Sequence, residues 1–362
     1  MPKVVIFGDM FHTTFPYLEM PLYNELVGRG VDVTYVLQEN DIRLTDPVLS
    51  KTYNALNLKT IKKPNQLRAV MEPDDVLLMR WACKLAGEEA ARSVRAGNKI
   101  LMYCVPGIDA RFRPTAAHYL AMKGESLRKL TQQKYPNLYQ KLFVTGLLQA
   151  DNAVTTTVDK AEFMKSYGMD PKNKLVLVTP ANPGELGNQP GIESEYKQIV
   201  DIVNAHCPGY EIAVKAHPND YTAALKAQPG IVHKNNHYGN KCSWEVFAPG
   251  INVIKADEGY KAIKACDAVL NVRSSLTMEL SVFKTVPLIN INRAKYVMYW
   301  PDDPAAMKDI TIPDLAKVLN EERYGASEQA WLKYCKAHMH SDDGKAYVRI
   351  ADLAVKILEK KI

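Results

Sequence analysis

Apolar residues in this chain come in short unbroken runs, separated by stretches where they recur every three or four positions. "KVVIFG" opens with a run that predicts a buried strand. "FPYLEMPLYNELVGRG" follows, with Leu18, Leu22 and Leu26 at helical spacing and a glycine-rich stop. "VDVTYVL" is the next strand, and the alternation continues through "DDVLLMRW", the helix "EEAARSVRAG" and the strand "KILMYCVPG". Residues 115–142 read as mainly helical and polar, and "DNAVTTTV", 151–158, reads as β-rich. "DKAEFMKSYGM" reads as a helix and "DPKNK" as a polar linker. The scheme restarts at "LVLVTPANPGE", a strand and a Pro/Gly loop. It runs on through the helix "SEYKQIVDIVNAH", the strand "YEIAVKAHP" and the helix "NDYTAALKAQ". "INVIKADEG", "DAVLNVR" and "TVPLININ" are further strands, separated by the helices "YKAIKAC" and "SSLTMELSVFK". The chain ends in helices, including "KAYVRIADLAVKILEKK".

Strands alternating with helices imply parallel sheets covered on both faces. The expected class is therefore α/β, with two Rossmann-like domains facing across a cleft. The expected division is an N-terminal acceptor-side domain at 1–170 and a C-terminal nucleotide-donor domain at 171–340. A last helix, 341–362, is able to cross back onto the first domain. A chain of 362 residues is long enough for two such cores. No apolar run approaches the roughly 18 residues of a membrane span. The run in "MPKVVIFGDM" is four residues long and lacks a cleavage site, so it is read as a strand rather than a signal peptide. Cys83, Cys104, Cys207, Cys242, Cys266 and Cys335 form no CxxC pair and are expected to be free thiols in a reducing, cytoplasmic setting. The net charge of +6 suits an anionic ligand without demanding one.

The candidate chemistry lies where strands end. In open α/β sheets, ligands sit at the carboxyl ends of the strands. "GDMFHTT" after the first strand is not G-x-G-x-x-G, and no G-x-x-x-x-G-K-[ST] occurs, so dinucleotide binding and P-loop chemistry are disfavoured. "VKAHPND" places Lys215 and His217 at one strand exit, with Pro218 stopping the strand. "NVRSSLTME" places Arg273, Ser274 and Ser275 at another, where a helix is about to start. Unpaired N–H groups and two hydroxyls at a helix start suit a phosphate, and Glu279 one turn on suits the hydroxyls of a ribose. Ser274 fits plain helix capping equally well. Asp257 and Glu258 follow "NVIKA"; an ordinary cap is the favoured reading for Glu258. Asn182 and Gly184 lie in a loop that suits either phosphate or a plain turn.

"VKAHP" followed by "KACDAVLNVRSSLTMELSVFKTVPLI" resembles the C-terminal domain of GT-B-type transferases. The pattern is similar to the K-P-H-P … a-D-x-L-I-T-D-Y-S-S … E … P signature of the CDP-glycerol glycerophosphotransferase-like group. Bacterial sialyltransferases and Kdo transferases carry a similar His-Pro and Ser-Ser pair. The helix also resembles that of the non-hydrolysing UDP-N-acetylglucosamine 2-epimerases, which have Gly-Gly in place of Ser-Ser. The resemblance covers about residues 210–290. It implies that His217, Ser274 and Ser275 hold the donor phosphates, that Glu279 contacts the ribose, and that the loop of Asp257 flanks the base. The chain departs from it at Ala216, where the group has Pro, in lacking the Asp of T-D-Y-S-S, and at Arg273, which replaces an aromatic and can add a phosphate contact.

A transferase also needs a base for the acceptor hydroxyl. The resembled architecture implies one from the N-terminal domain, where "FGDMFHTTFPYLE" offers Asp9, His12 and Glu19, and "CVPGIDARFRP" offers Asp109. Asp9 and His12 rank ahead of Asp109, and each fits a loop or capping role too. Metal ligation has little support: Cys335, His338 and His340 are loosely spaced and read as solvated, and Asp302–Asp303 and Asp342–Asp343 read as polar loops. No metal and no separate cofactor is expected, because the nucleotide sugar is itself a substrate.

The expected function is an inverting, metal-independent glycosyltransferase that moves a sugar from a nucleotide-activated donor to a glycan, lipid-linked or other hydroxyl acceptor. The alternatives are a polyol-phosphate transferase, a nucleotide-sugar 2-epimerase and a DNA-modifying glycosyltransferase. Ser-Ser for Gly-Gly argues against the epimerase. Nucleic acid is disfavoured because the basic residues form no stripe interleaved with aromatics. Membrane contact is expected to be peripheral at most, through residues 123–141.

Overall fold

The computed structural model describes residues 2–8, 19–45, 49–80, 85–105, 117–138, 140–180, 192–215, 248, 250–255, 258–272, 288–291, 308–321 and 328–362. The chain forms two compact units. Met1–Val154 and Cys335–Ile362 make the first, and Thr155–Tyr334 the second. The divisions thus fall at 154/155 and 334/335, beside the 170 and 340 read from the sequence.

The first unit is built on a seven-stranded sheet with the order β3-β2-β1-β4-β5-β6-β7. Its strands are β1 (Val4–Phe7), β2 (Val33–Gln38), β3 (Leu58–Ile61), β4 (Val76–Arg80), β5 (Lys99–Val105), β6 (Tyr119–Met122) and β7 (Lys141–Val144). Every pair is parallel; β1 lies between β2 and β4, with Val4 opposite both Val33 and Val76. The second unit repeats the plan with six strands in the order β10-β9-β8-β11-β12-β13. These are β8 (Lys174–Pro180), β9 (Tyr210–Lys215), β10 (Asn252–Ile254), β11 (Ala268–Val272), β12 (Leu288–Ile291) and β13 (Lys308–Ile310). All pairs are again parallel. A parallel strand covered by helices on both faces must be apolar throughout, which is why the unbroken runs of the sequence mark the strands. Val4 to Phe7 are all buried, as are Leu175 to Val178 and Ala268 to Val272. The expected α/β class with two Rossmann-like sheets is what the chain forms.

Two segments differ from the sequence pattern. Residues 115–142 contain one helix, Glu125–Lys134, between the strands β6 and β7. Four-residue strands are too short to show a period, and β6 is buried at every position, so its apolar residues mimic part of a helical face. Residues 151–158 are not β: Leu148–Thr155 is a helix, and residues 156–159 are irregular. β-branched residues weaken a helix only slightly, and tertiary contacts decide here. The Asp151 carboxylate accepts the N–H groups of Ala346 at 3.0 Å and Tyr347 at 2.8 Å. It thereby caps the helix Ala346–Leu358 from a distant part of the chain.

That last helix belongs to the first unit and buries Ile350, Ala351, Leu353, Ala354 and Ile357. Arg29 holds its flank through Asp352 at 2.5 Å, and Arg349 donates to the Thr145 carbonyl at 2.7 Å while pairing with Asp343. The preceding helix, Glu328–Met339, ends against Gly124. A Cβ on Gly124 would lie 2.3 Å from both the carbonyl carbon and oxygen of His338. Gly124 has an extended backbone, with φ of −159°, so the demand for glycine is steric. The Ser126 hydroxyl lies 2.6 Å from His338 Nδ1 beside it. No helix among the described residues is long and apolar enough to cross a membrane.

Two predictions follow from this junction. Gly124→Ala drives a methyl into fixed backbone and is expected to lower stability by about 1–3 kcal/mol in urea unfolding. Gly97→Ala, whose added carbon would meet nothing nearer than 3.9 Å, is the near-neutral control. Burial pushes the Asp151 carboxyl up to about 6, against the lowering by the Ala346 and Tyr347 N–H groups and Arg349. The native state therefore keeps this proton to higher pH than the unfolded chain does. The stability it contributes is complete below about pH 4 and is lost as pH rises through about 6. The amount is on the order of 3 kcal/mol. Asp151→Asn is expected to flatten this part of the pH profile of the urea midpoint.

Candidate functional site

Each sheet places its first strand beside its fourth, β1 beside β4 and β8 beside β11. The connections leave in opposite directions on either side of that point, which opens a crevice at the carboxyl edge. The strands preceding the predicted site residues reach these edges. In the second unit β9 ends at Lys215, two residues before His217; β11 ends at Val272, immediately before Arg273, Ser274 and Ser275; β10 ends at Ile254, three before Asp257. β9 and β11 flank β8, so the two halves of the predicted phosphate clamp leave one edge on either side of one strand. In the first unit β1 ends at Phe7, two residues before Asp9, and β5 ends at Val105, four before Asp109. Asp9, His12, Asp109, Asn182, Gly184, His217, Asp257, Arg273, Ser274, Ser275 and Glu279 themselves lie outside the described residues, as do Asp302 and Asp303.

At the crevice of the second sheet stand Thr179 and Asn271, both fully buried. They are direct partners in the β8–β11 ladder, and the Thr179 hydroxyl donates to Asn271 Oδ1 at 3.3 Å. Leu177 and Val269, two residues earlier on the same face of these strands, are fully buried as well. A polar pair in such a setting is tolerable only when hydrogen-bonded.

Beside them, Lys215 and Glu258 take definite directions. Gly259 opens the helix Gly259–Ala265, and a Cβ there would lie 2.5 Å from Lys215 Cε, so the lysine stem crosses the start of that helix. Glu258 occupies the cap position, but its side chain accepts no helix N–H. The capping role expected for it gives way to a stronger partner: the Tyr167 hydroxyl donates to its carboxylate at 2.5 Å, and Lys261 lies at 3.2 Å. The Tyr167 bond, with Lys261 and Lys255, holds the Glu258 carboxyl below the usual range. Tyr167 also accepts the Lys255 N–H at 3.1 Å, so one tyrosine ties Lys255 to Glu258, the described residues on either side of Asp257.

The crevice of the first sheet rests on charge. Glu19 is fully buried, with the Tyr35 hydroxyl at 3.3 Å, that of Tyr103 at 3.5 Å and Arg43 at 3.8 Å. Arg43, also buried, forms a fork with Asp41 at 2.8 and 2.7 Å, donates to the Tyr35 hydroxyl and lies over the Tyr53 ring. Burial raises the Glu19 carboxyl, against the lowering by Arg43 and Arg80. Glu19 is a buried support of this polar cluster. Gly8 touches the same group, since a Cβ on it would lie 2.8 Å from the Tyr35 hydroxyl and 3.0 Å from Arg43 Nη1. Both residues bounding 9–18, the segment of Asp9 and His12, thus rest on Tyr35 and Arg43. Sequence reasoning singled out Glu19 but missed Arg43 and Asp41. Their only signal is a D-x-R spacing inside a polar stretch.

The loosely spaced Cys335, His338 and His340 are not all solvated. Cys335 is buried, as are Cys207 and Cys266, and His338 is half-buried against Ser126. Asp343 is held to about 2 by Arg349. Among the described residues no group of three His, Cys, Asp or Glu is placed to hold a metal.

No family model matches the chain, and no curated protein does. Solved structures do resemble it. A putative UDP-N-acetylglucosamine 2-epimerase from Listeria monocytogenes has a TM-score of 0.66 at 16% identity, over 100% of this chain and 97% of that one. The UDP-GlcNAc 2-epimerase from Methanocaldococcus jannaschii, in complex with UDP-GlcNAc and UDP, gives 0.61 at 13%, over 98% and 99%. The wall teichoic acid polymerase TagF gives 0.58 at 13%, over 100% and 90%. The chain has the GT-B fold.

The charge network yields a stability prediction. Arg43→Met strands two buried carboxylates and is expected to cost about 3–5 kcal/mol in urea unfolding. Glu19→Gln, which keeps shape and hydrogen bonding, is expected to cost less than half of that.

Proposed function

We propose that this chain is an enzyme acting on a nucleoside-diphosphate-activated sugar, with the nucleotide at the carboxyl edge of the second sheet. The observation that supports the reading is that β9 ends at Lys215 and β11 at Val272, on either side of β8, where "VKAHP" and "VRSS" continue the sequence. His217, Ser274, Ser275 and Arg273 are the proposed diphosphate contacts. Glu279 and Asp257 serve the ribose and base. A diphosphate held by a histidine, hydroxyls and backbone N–H groups needs no metal to offset its charge.

For the reaction itself, inversion at C2 of the sugar is the first reading. Its support is the whole-length likeness to 2-epimerases, which is stronger than the likeness to TagF. Such an inversion takes a proton from one face of a carbon and returns one on the other, so it needs acid–base groups at both faces of that carbon. Asp9, His12 and Asp109 are the candidates. The second reading is transfer to an acceptor hydroxyl. It is favoured by Ser274–Ser275, where the epimerases have Gly-Gly. The same three residues then supply the single base that transfer requires.

UDP, CDP, GDP and CMP, free and sugar-linked, are to be screened for thermal stabilisation of the wild type and His217→Ala. A shift of several degrees is expected for one nucleotide, reduced in the variant; no shift with any of them sinks the reading. Product analysis in heavy water then separates the reactions. Epimer carrying deuterium at C2 without an acceptor marks an epimerase. Nucleotide release only when an acceptor is added marks a transferase.

A further inference from the structure

The first sheet has two edge strands, and they are finished differently. β3 exposes Lys59 and Thr60, and a charged edge discourages further pairing. β7 reads Lys-Leu-Phe-Val, and its three apolar residues are each half-buried. Its one charge is drawn aside: Lys141 Nζ lies over the Tyr119 ring, 6.0 Å from the centroid. The ladder to β6 fixes which way the β7 backbone points. The Lys141 N–H donates to the His118 carbonyl at 3.0 Å, and that of Thr145 to the Met122 carbonyl at 2.9 Å. Successive residues of a strand turn their backbone groups to opposite sides, so Leu142 and Val144 point theirs outward. No hydrogen bond to those outward groups is found among the described residues.

A cavity of about 500 Å³ opens along this edge, and its lining comes from both faces of the sheet. Tyr135, Leu138 and Leu142 pack towards the apolar cluster that contains Leu120 and Met122. Lys141 and Phe143 lie on the other face beside Tyr119, whose ring centroid is 6.4 Å from that of Phe143. A cavity that straddles an open strand edge suits a further extended strand. Main-chain bonds hold such a strand, and the cavity takes its side chains.

β7 is itself a strand of the right kind. In an antiparallel two-fold pairing centred on Leu142, that residue meets its own copy, and the two exchange N–H···O=C bonds. Gln140 then stands opposite Val144 of the second copy. Lys141 stands opposite Phe143 of the second copy, and this pair occurs twice. A cation beside an aromatic ring is attracted to it, and no like charges meet. The two Leu142 side chains fall on the face where Tyr135 and Leu138 line the cavity, so each copy supplies the group that enters the other's.

We propose that β7 is a self-association edge: two copies of this chain join their first sheets antiparallel through β7, with Leu142 at the two-fold axis. This stands apart from the nucleotide reading. A contact built on one short strand belongs to the small end of specific interfaces, so the dimer is expected to dissociate at about 1–100 μM.

The test is sedimentation velocity of the full chain from about 1 to 300 μM, a range that brackets that constant. The wild type is expected to pass from monomer to dimer, and amide exchange over residues 141–145 to slow as it does. Val144→Pro removes an outward N–H and no bond to β6, and is expected to weaken the dimer about ten-fold or more. Lys141→Glu, at an exposed position, puts an anion against Phe143 and is expected to weaken it about five-fold. This second variant carries the test should Val144→Pro fail to fold. Lys59→Glu makes the same charge change on β3 and is expected to leave the constant within about two-fold. A wild type that stays monomeric throughout overturns the proposal, whatever else binds at β7. So does a dimer that neither β7 variant weakens, or one that Lys59→Glu weakens as much as Lys141→Glu.

Discussion

A parallel strand in the middle of a sheet has no polar face to show. Helices cover it on both sides, so its residues are nearly all apolar, and every strand of the sheet ends at the same edge. Both units of this chain accept that constraint and resolve it with the same strand order. The consequence is that polar chemistry is expelled to the carboxyl edges, where chain segments leave the sheet and side chains regain freedom to be polar. The position of the candidate site is set by this expulsion before any particular catalytic residue is considered.

The two edges handle the few polar groups left inside in different ways. In the first unit the groups are ionic: Arg43 between Asp41 and Glu19, with three tyrosines around them. Burial there disfavours the charges, and the network is rigid because no member is able to move without stranding another. In the second unit they are neutral, one hydroxyl and one amide. A neutral pair places no fixed charge beneath a region proposed to receive an anion. The ionic support lies under the edge assigned to acid–base chemistry instead. Tyr167 performs a comparable service for the turn after β10, tying Lys255 to Glu258.

Much of this was legible in the sequence. Runs such as "VVIF" and "LVLV" had to be buried strands, because seven or more such runs separated by helical spacing have few other solutions. The strand exits carrying "KAHP" and "RSS" were legible for the same reason. β6, β7 and the helix Leu148–Thr155 were not. Short strands carry no period, and the Leu148–Thr155 helix is fixed by Asp151 gripping N–H groups 195 residues away. Thr179 and Asn271 were visible as interruptions of apolar runs, but their pairing depends on strand order, which no local pattern encodes. Arg43 and Asp41 were hidden for a related reason: a buried ion pair looks in sequence like any polar loop.

The first unit is not made of consecutive chain. Its last helix, Ala346–Leu358, comes after the whole of the second unit, and Gly124, Asp151 and Arg29 all wait for partners beyond residue 335. On a ribosome, synthesis runs in one direction only, so the half begun first is the half completed last. Residues 1–154 must persist with an uncovered flank while some 180 further residues are made and are able to close on themselves. Nascent chains of this protein therefore pass through a stage in which the later half is finished and the earlier half is still waiting for its cover.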